Sequence, residues 1–166
     1  EMLLEDETLG EQQMSEIMKT YQTLEYLSKL NKSLLLLSKI DNHQFSEEKE
    51  VCLNEVLHRY MDDYQEVYAY RDITLTVEEE SELYWNMNET LAVVLITNLL
   101  KNAFVHNINK GSIRIVVSSS GIRFGNTASG SALDASRVFD RFYQGSKKKE
   151  GSTGLGLAIV DAVCRH

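Results

Sequence analysis

The chain has 166 residues, with 17 lysines and arginines against 25 aspartates and glutamates, so its formal net charge is −8. This acidity argues against a general nucleic-acid binder, which carries a basic face, and no run of about 18 apolar residues is present to span a membrane. An apolar fraction of 43% is sufficient for a globular core and excludes a disordered chain, and the length fits one domain with or without an attached helical segment.

The first predicted element is a long amphipathic helix from Met14 to about Ile40. No glycine or proline interrupts it, and leucines recur every three or four residues, which is the spacing of one helical face. The helix is longer than a small domain needs, so we expect a partner helix, with Thr8–Gln13 as the turn of a hairpin and residues 1–7 as the end of its first helix. The alternative is a lone helix folded onto the rest of the chain. The leucines of this face are Leu24, Leu27, Leu30, Leu34 and Leu37.

After a polar linker over residues 41–50, strands and helices alternate without the regular rhythm of a parallel α/β fold. Asn54 and Asn88 are suited to cap helices that extend to about Tyr70 and Asn107. We therefore predict an α+β fold, a two-layer sandwich in which helices cover one face of a mixed sheet, preceded by the long helix. The other predicted elements are strands 73–77, 83–85, 112–118 and 122–124, a short helical stretch near Ser136–Tyr143, and a final helix from Leu155 to His166.

Two asparagines share one face of the otherwise apolar helix that follows Asn88. Asn98 and Asn102 are four residues apart, and His106 continues the same face one turn later. A buried amide without a partner costs about 1–3 kcal/mol, so two on one face favour a polar ligand. An amide oxygen is a hard, neutral donor suited to Mg²⁺ that also binds phosphate oxygens. The alternative is that both side chains hydrogen-bond a neighbouring loop.

Two glycine-rich stretches follow this helix. Gly125–Gly130 comes directly after a strand and offers the Asn126 amide to the edge of a base, although asparagine and glycine also favour plain turns. The stretch from Gly151 opens an apolar helix, and such a turn presents backbone N–H groups and a positive dipole end to phosphates. It is neither a P-loop nor a dinucleotide-binding fingerprint, since Leu157 replaces the lysine of the first and Ile159 the third glycine of the second.

In this order and spacing, the stretches resemble the four boxes of the sensor histidine kinases of two-component systems. The same ATP-binding fold occurs in DNA gyrase, heat-shock chaperones and mismatch-repair ATPases. The resemblance implies a partial dimerisation and phosphotransfer hairpin over residues 1–43, mainly its second helix, and a catalytic ATP-binding domain over residues 44–166. The boxes are 98–103 (N box), 126–130 (first glycine box), 138–143 (F box) and 151–156 (second glycine box).

The resemblance also implies a role for each matching residue. Asn98 and Asn102 face the Mg²⁺–phosphate group as metal ligands and, with Arg141, form the catalytic set. Asn126 accepts a hydrogen bond from the adenine amino group, and Arg141 reaches toward the terminal phosphates. The implied ATP-binding residues are Asn98, Asn102, His106, Asn126, Gly130, Arg141, Thr153, Gly154, Leu155 and Gly156.

The implied reaction transfers the γ-phosphoryl group of MgATP to a histidine and then to a response regulator. The implied partners are a second copy of the protein, bound through the helical hairpin, and the receiver domain of that regulator. No nucleic acid is expected as a partner, and a membrane only through other parts of the parent protein. We therefore expect this chain to be the cytoplasmic portion of a membrane-bound sensor.

The phosphoacceptor motif of the family, a histidine followed by an acidic residue with a proline a few positions on, is missing. None of the four histidines precedes an acidic residue, and the chain has no proline. We therefore expect a fragment that lacks the phosphoacceptor histidine and the last strands of the sheet, and that cannot phosphorylate itself.

Three positions depart from the family pattern and keep two other functions open. Asn126 replaces the usual aspartate, Ala128 the first glycine of its box, and Val105 a lysine that many members carry. One alternative is therefore a dimerisation and signalling module whose nucleotide site has decayed, which the intact asparagine pair and second glycine box disfavour. The other is a different ATPase of the same fold, which the short lid and the helical arm disfavour.

Overall fold

The computed structural model describes residues 10–129, 133–145 and 152–166 of the chain. A long helix leads into a body of alternating strands and helices, as the sequence predicts. The elements are helix α1 (Glu11–Asp41), strand β1 (Lys49–Cys52), helix α2 (Leu53–Val67), a 3₁₀ turn (Ala69–Arg71), strands β2 (Thr74–Glu79) and β3 (Tyr84–Met87), helix α3 (Glu89–Val105), strands β4 (Ser112–Ser118) and β5 (Gly121–Asn126), and helix α4 (Gly156–Arg165).

The described strands form two small sheets. In the first, β1 and β3 run antiparallel. The second has the order β2-β4-β5, with β2 parallel to β4 and β4 antiparallel to β5. A parallel pair needs a crossover between its strands, and here the connection from β2 to β4 includes β3 and α3. The larger sheet is therefore mixed.

The main core lies between this mixed sheet and helices α2 and α3. Residues of β4 alternate between the two faces of the sheet, so that Ile113, Ile115 and Val117 are fully buried while Arg114 is exposed. Leu53 and Leu57 of α2, together with Ala92, Ile96 and Leu100 of α3, complete the same core. The predicted fold class, an α+β sandwich with helices on one face of a mixed sheet, is confirmed.

A second apolar cluster attaches the end of α1 to α3 and α4. Leu37 and Ile40 are 1% and 2% exposed, and they join a cluster that includes Leu95 of α3 and Ile159 of α4. Of the earlier leucines of the predicted face, Leu30 is partly buried against this cluster, whereas the other three are not covered by the described part of the chain. Leu24, Leu27 and Leu34 are exposed by 60%, 50% and 37%. Only the C-terminal end of α1 is therefore packed on the body.

One of the two predicted helix caps is correct and the other is wrong. The Asn88 side chain accepts a hydrogen bond from the Thr90 N–H at 2.9 Å and caps α3 as predicted. Asn54 lies inside α2, which begins one residue earlier. Its amide instead donates to Oε1 of Glu79 and accepts from the Leu83 N–H, both at 2.9 Å. Burial explains this difference, because a buried amide needs partners, and the end of β2 and the loop that follows it supply them.

The short helix predicted near Ser136–Tyr143 is also wrong, because this stretch forms consecutive turns. Its backbone hydrogen bonds join residues three apart, as between Asp140 and Arg137. Phe142 then adopts a φ of +67°, which a right-handed helix does not allow. Other boundaries shift as well. Residues 11–13, predicted as part of a turn, are helical, and 49–50 of the predicted linker belong to β1. The helix predicted within residues 1–7 lies outside the described residues.

Candidate functional site

Helix α3 places Asn98 against the beginning of α4. The Asn98 amide nitrogen donates to the Val94 carbonyl one turn earlier, at 2.7 Å, so the amide oxygen is the atom left to face outward. A Cβ atom added to Gly156 would lie 3.4 Å from that oxygen. The first turn of α4 therefore lies next to Asn98, and the predicted N box and second glycine box meet here.

Asn102 lies one turn further along α3 and is half-buried. Within the part of the chain that the structure describes, its side chain has no hydrogen-bond partner. The same described residues contain no group of three or more histidines, cysteines, aspartates or glutamates that could hold a metal ion. Two amide oxygens fit Mg²⁺ only if waters and phosphate oxygens complete its coordination, so these residues suit an ion that arrives with a nucleotide.

His106 follows the last turn of α3 and is exposed. Its backbone N–H donates to the Asn102 carbonyl at 3.0 Å, which fixes it one turn beyond Asn102. The next residue, Asn107, is buried. Its amide nitrogen donates to the Ser112 carbonyl at 3.0 Å, and its oxygen accepts from the Ile108 N–H at 2.8 Å. The end of α3 is thereby tied to the start of β4.

Asn126 is the last residue of β5 and is exposed. It lies opposite Ile113 in the register of β4 and β5. Its neighbour Thr127 donates a backbone hydrogen bond of 2.9 Å to the Ser112 carbonyl, the same oxygen that the Asn107 side chain binds. The predicted adenine-binding residue is therefore held next to the C-terminal end of α3, and its exposed amide donates from its nitrogen to the Thr127 carbonyl at 3.2 Å.

The second glycine box packs on the F box through backbone contacts. The Phe142 N–H donates to the Gly154 carbonyl at 2.9 Å. A Cβ atom on Gly154 would lie 2.8–3.0 Å from backbone atoms of Phe142, and Gly154 has a φ of +67°. Thr153 is half-buried, and Leu155 is fully buried in the second apolar cluster. The predicted site residue Gly130 lies outside the described residues.

Arg141 occupies a place that the sequence did not predict. Its Nη2 atom lies 2.7 Å from Oδ2 of Asp41, the last residue of α1. The two side chains are about half exposed. The F-box arginine is therefore bound to the long helix in this structure. No local pattern links two residues that are 100 positions apart, so sequence reasoning missed Asp41.

Among the residues that the structure describes, no helix combines the length and the apolar character needed to cross a lipid bilayer.

Comparisons with known proteins agree with this geometry. Residues 87–166 match the sequence profile of the histidine kinase-, DNA gyrase B-, and HSP90-like ATPase family. The heme sensor protein HssS of Staphylococcus saprophyticus is 31% identical over 159 residues, which cover 92% of this chain and 34% of HssS. The sensor histidine kinase RppB of Synechocystis is 31% identical over 147 residues, which cover 82% of this chain and 32% of RppB.

A solved structure shows the same fold over nearly the whole chain. The histidine kinase AdeS of Acinetobacter baumannii superposes with a TM-score of 0.62 at 20% sequence identity, and the match covers 94% of this chain and 74% of that one. The asparagine-bearing helix and the glycine turns lie within residues 87–166, and this part of the chain belongs to the ATPase family whose profile it matches. Within the family the chain is a homologue of the sensor histidine kinases, and it spans about a third of the length of the curated relatives it matches.

Proposed function

We propose that this chain is the ATP-binding catalytic part of a two-component sensor histidine kinase. In the reaction, a histidine nitrogen attacks the γ-phosphorus of MgATP, the bond to the β,γ-bridging oxygen breaks, and ADP leaves. The phosphoryl group then passes to a response-regulator receiver domain. The observation that carries this proposal is the meeting of the Asn98 and Asn102 helix face with the glycine-rich start of α4.

In this proposal, Asn98 and Asn102 hold Mg²⁺ through their amide oxygens, together with phosphate oxygens of the nucleotide. The ion, when bound, offsets the negative charge that builds up on the phosphates during transfer. The backbone N–H groups at the start of α4 add a positive dipole end near the same phosphates. Support comes from Asn98, whose amide nitrogen is already bonded to Val94 and leaves its oxygen outward.

The remaining roles follow the motifs. Asn126 reads adenine, because its amide accepts from the exocyclic amine and donates to a ring nitrogen. Arg141 stabilises the terminal phosphates and must leave Asp41 to do so. The other nucleotide-contacting residues are His106, Gly130, Thr153, Gly154, Leu155 and Gly156.

The phosphoacceptor is not among the four histidines of this chain. His58 lies 3.0 Å from Glu79, and His43 packs against His166 with ring centroids 5.2 Å apart. His106 is fixed at the end of α3, on the helix that forms the site itself. We therefore propose that the chain alone does not phosphorylate itself.

The proposed domain organisation rests on helix α1, which packs on the body through Leu37 and Ile40 and leaves other leucines exposed. Residues 1–43 form part of a dimerisation and phosphotransfer hairpin, and residues 44–166 form the catalytic domain. The uncovered leucines of α1 support a homodimer through that hairpin, since an exposed leucine gives up about 1.5–3 kcal/mol that burial would recover. The parent protein is a membrane-bound sensor with this portion in the cytoplasm and no nucleic acid as a partner.

Calorimetric titration of an Asn102→Ala variant tests the function. Loss of a metal ligand is expected to weaken MgATP binding at least about tenfold, while binding of adenosine alone changes little. Asn31→Ala on the exposed part of α1 is the matched control and keeps both affinities. Equal losses for MgATP and adenosine contradict the proposed role, and a wild-type chain that binds no MgATP favours the signalling module without a nucleotide.

A further inference from the structure

We propose that Arg71 is a positioning residue of the nucleotide site, which fixes the last turn of α3 and, through it, the end of β5. Arg71 lies in the 3₁₀ turn before β2, outside all four sequence boxes. The inference rests on the proposed function, because it assigns to Arg71 the geometry of residues that are proposed to bind MgATP.

The guanidinium group of Arg71 binds the C-terminal end of α3 and the loop after it, and all three of its nitrogens take part. Nη1 donates to the Phe104 carbonyl at 2.6 Å and lies 3.5 Å from the Val105 carbonyl. Nη2 donates to the Asn107 carbonyl, and Nε donates to Oδ1 of Asn109 at 3.1 Å. One side chain therefore spans the last turn of the helix and the loop that follows it.

These contacts supply hydrogen-bond donors and a positive charge to the C-terminal end of α3. The last carbonyls of a helix lack partners within the helix and carry the negative end of its dipole, so a cation there is stabilising. Helix α3 has no basic residue in its own last turn. Arg71 supplies the charge from another element, and its planar fork of donors reaches several carbonyls where a lysine reaches one point.

The backbone around Arg71 holds this side chain in place. The Arg71 N–H donates to the Tyr68 carbonyl at 3.0 Å, and the Arg71 carbonyl accepts from the Lys110 N–H at 2.8 Å. The following residue, Asp72, has a φ of +53°, which turns the chain into β2. The arginine is therefore anchored on both sides before its guanidinium reaches α3.

A series of contacts connects Arg71 to the proposed metal ligand Asn102 and to the proposed adenine-binding residue Asn126. Asn102 lies in the last turn that Arg71 closes, and His106 lies between two of the carbonyls it binds. The Asn107 side chain then binds the Ser112 carbonyl at 3.0 Å, which also accepts from the Thr127 N–H next to Asn126. A displaced helix end therefore moves the proposed metal ligand and the proposed adenine reader together.

The test compares Arg71→Ala and Arg71→Lys with two controls. Arg114→Ala removes an arginine from an exposed ion pair, and Ile115→Val reduces stability in the core while it keeps every hydrogen bond of Arg71. Affinity for MgADP is measured by calorimetry at a temperature where every variant is folded by circular dichroism. Arg71→Ala is expected to bind about tenfold more weakly, Arg71→Lys to fall in between, and both controls to match the wild type.

A second readout follows the geometry directly. In Arg71→Ala, the backbone amide signals of His106 and Thr127 in a two-dimensional NMR spectrum are expected to shift without nucleotide, whereas Ile115→Val leaves them in place. Unchanged amide signals, or unchanged MgADP affinity in a chain that binds MgADP, overturn the positioning role. If the wild-type chain binds no MgADP, the proposed function is wrong. The amide signals then decide by themselves whether Arg71 fixes the end of α3.

Discussion

Gly154 and Gly156 of the second glycine box differ in how strongly the structure requires a glycine. Gly154 combines a left-handed φ of +67° with backbone atoms of Phe142 at 2.8–3.0 Å from the position of a Cβ atom. Gly156 has no such φ, and its nearest neighbour is the Asn98 oxygen at 3.4 Å. Glycine is therefore required at position 154 by the backbone conformation and by Phe142, whereas position 156 leaves a Cβ atom close to ordinary contact distance from Asn98.

These environments predict different effects of Gly154→Ala and Gly156→Ala on the free energy of unfolding. Gly154→Ala is expected to destabilise the chain by about 1–3 kcal/mol, because a side chain in the left-handed region is strained and clashes with Phe142. Gly156→Ala is expected to stay within about 1 kcal/mol of the wild type, since alanine favours the helix and the added contact is nearly of ordinary length. Urea unfolding of both variants measures the difference, and equal losses contradict this account.

At the scale of elements, one exposed ion pair joins the parallel strands β2 and β4. Arg114 donates from Nε to Oε1 of Glu78 at 2.8 Å and from Nη2 to Oε2 at 2.6 Å. This bidentate hydrogen bond lowers the pKa of the Glu78 carboxyl from its ordinary value of 4.5. The carboxylate form is therefore favoured in the folded protein.

The lowered pKa predicts how the contribution of Glu78 to stability depends on pH. A group with a depressed pKa in the folded state stabilises the fold above its unfolded value and loses that effect as the pH falls through its folded value. Thermal unfolding of Glu78→Gln should therefore differ most from the wild type above pH 4.5 and converge with it below that pH. Glu80→Gln changes an exposed carboxylate directly after β2 and serves as the control. A difference that grows toward low pH is inconsistent with the pairing.

At the scale of the whole molecule, α1 is attached to the body in two ways. Leu37 and Ile40 are buried against α3 and α4, and Asp41 binds Arg141 of the F box. The long helix therefore contacts both the helix layer behind the candidate site and the arginine that is proposed to reach the phosphates. The ion pair between Asp41 and Arg141 therefore couples the position of the C-terminal end of α1 to the position of the Arg141 side chain.

This coupling predicts that removing the Asp41 carboxylate favours nucleotide binding. Exposed ion pairs are worth up to about 1 kcal/mol, so Asp41→Asn is expected to tighten MgATP binding by about two- to fivefold at low ionic strength. The gain should shrink in high salt, which screens such pairs. Glu25→Gln removes a carboxylate from another exposed pair of α1 and is the control. Calorimetry at two salt concentrations measures both, and weaker MgATP binding by Asp41→Asn contradicts the competition.

The sequence predicted most elements and misplaced those that depend on distant partners. The strand over residues 112–118, the cap at Asn88 and the spacing of Asn98 and Asn102 are local patterns, and the structure contains all three. The cap at Asn54 was wrong because Glu79 at the end of β2, 25 residues away, binds its amide. The helix near residues 136–143 was wrong because packing of the Phe142 backbone on Gly154 imposes turns there.

The sequence by itself determined which side chains share a helix face or a strand face, because helix and strand periodicity follow from backbone geometry alone. It therefore placed Asn98 and Asn102 together and defined the leucine face of α1. Only the tertiary structure decided which leucines are covered, and which partners Asp41 and Arg71 bind. Those partners are a side chain 100 residues away and backbone carbonyls at a helix end, and carbonyls are the same in every residue, so no sequence pattern marks them.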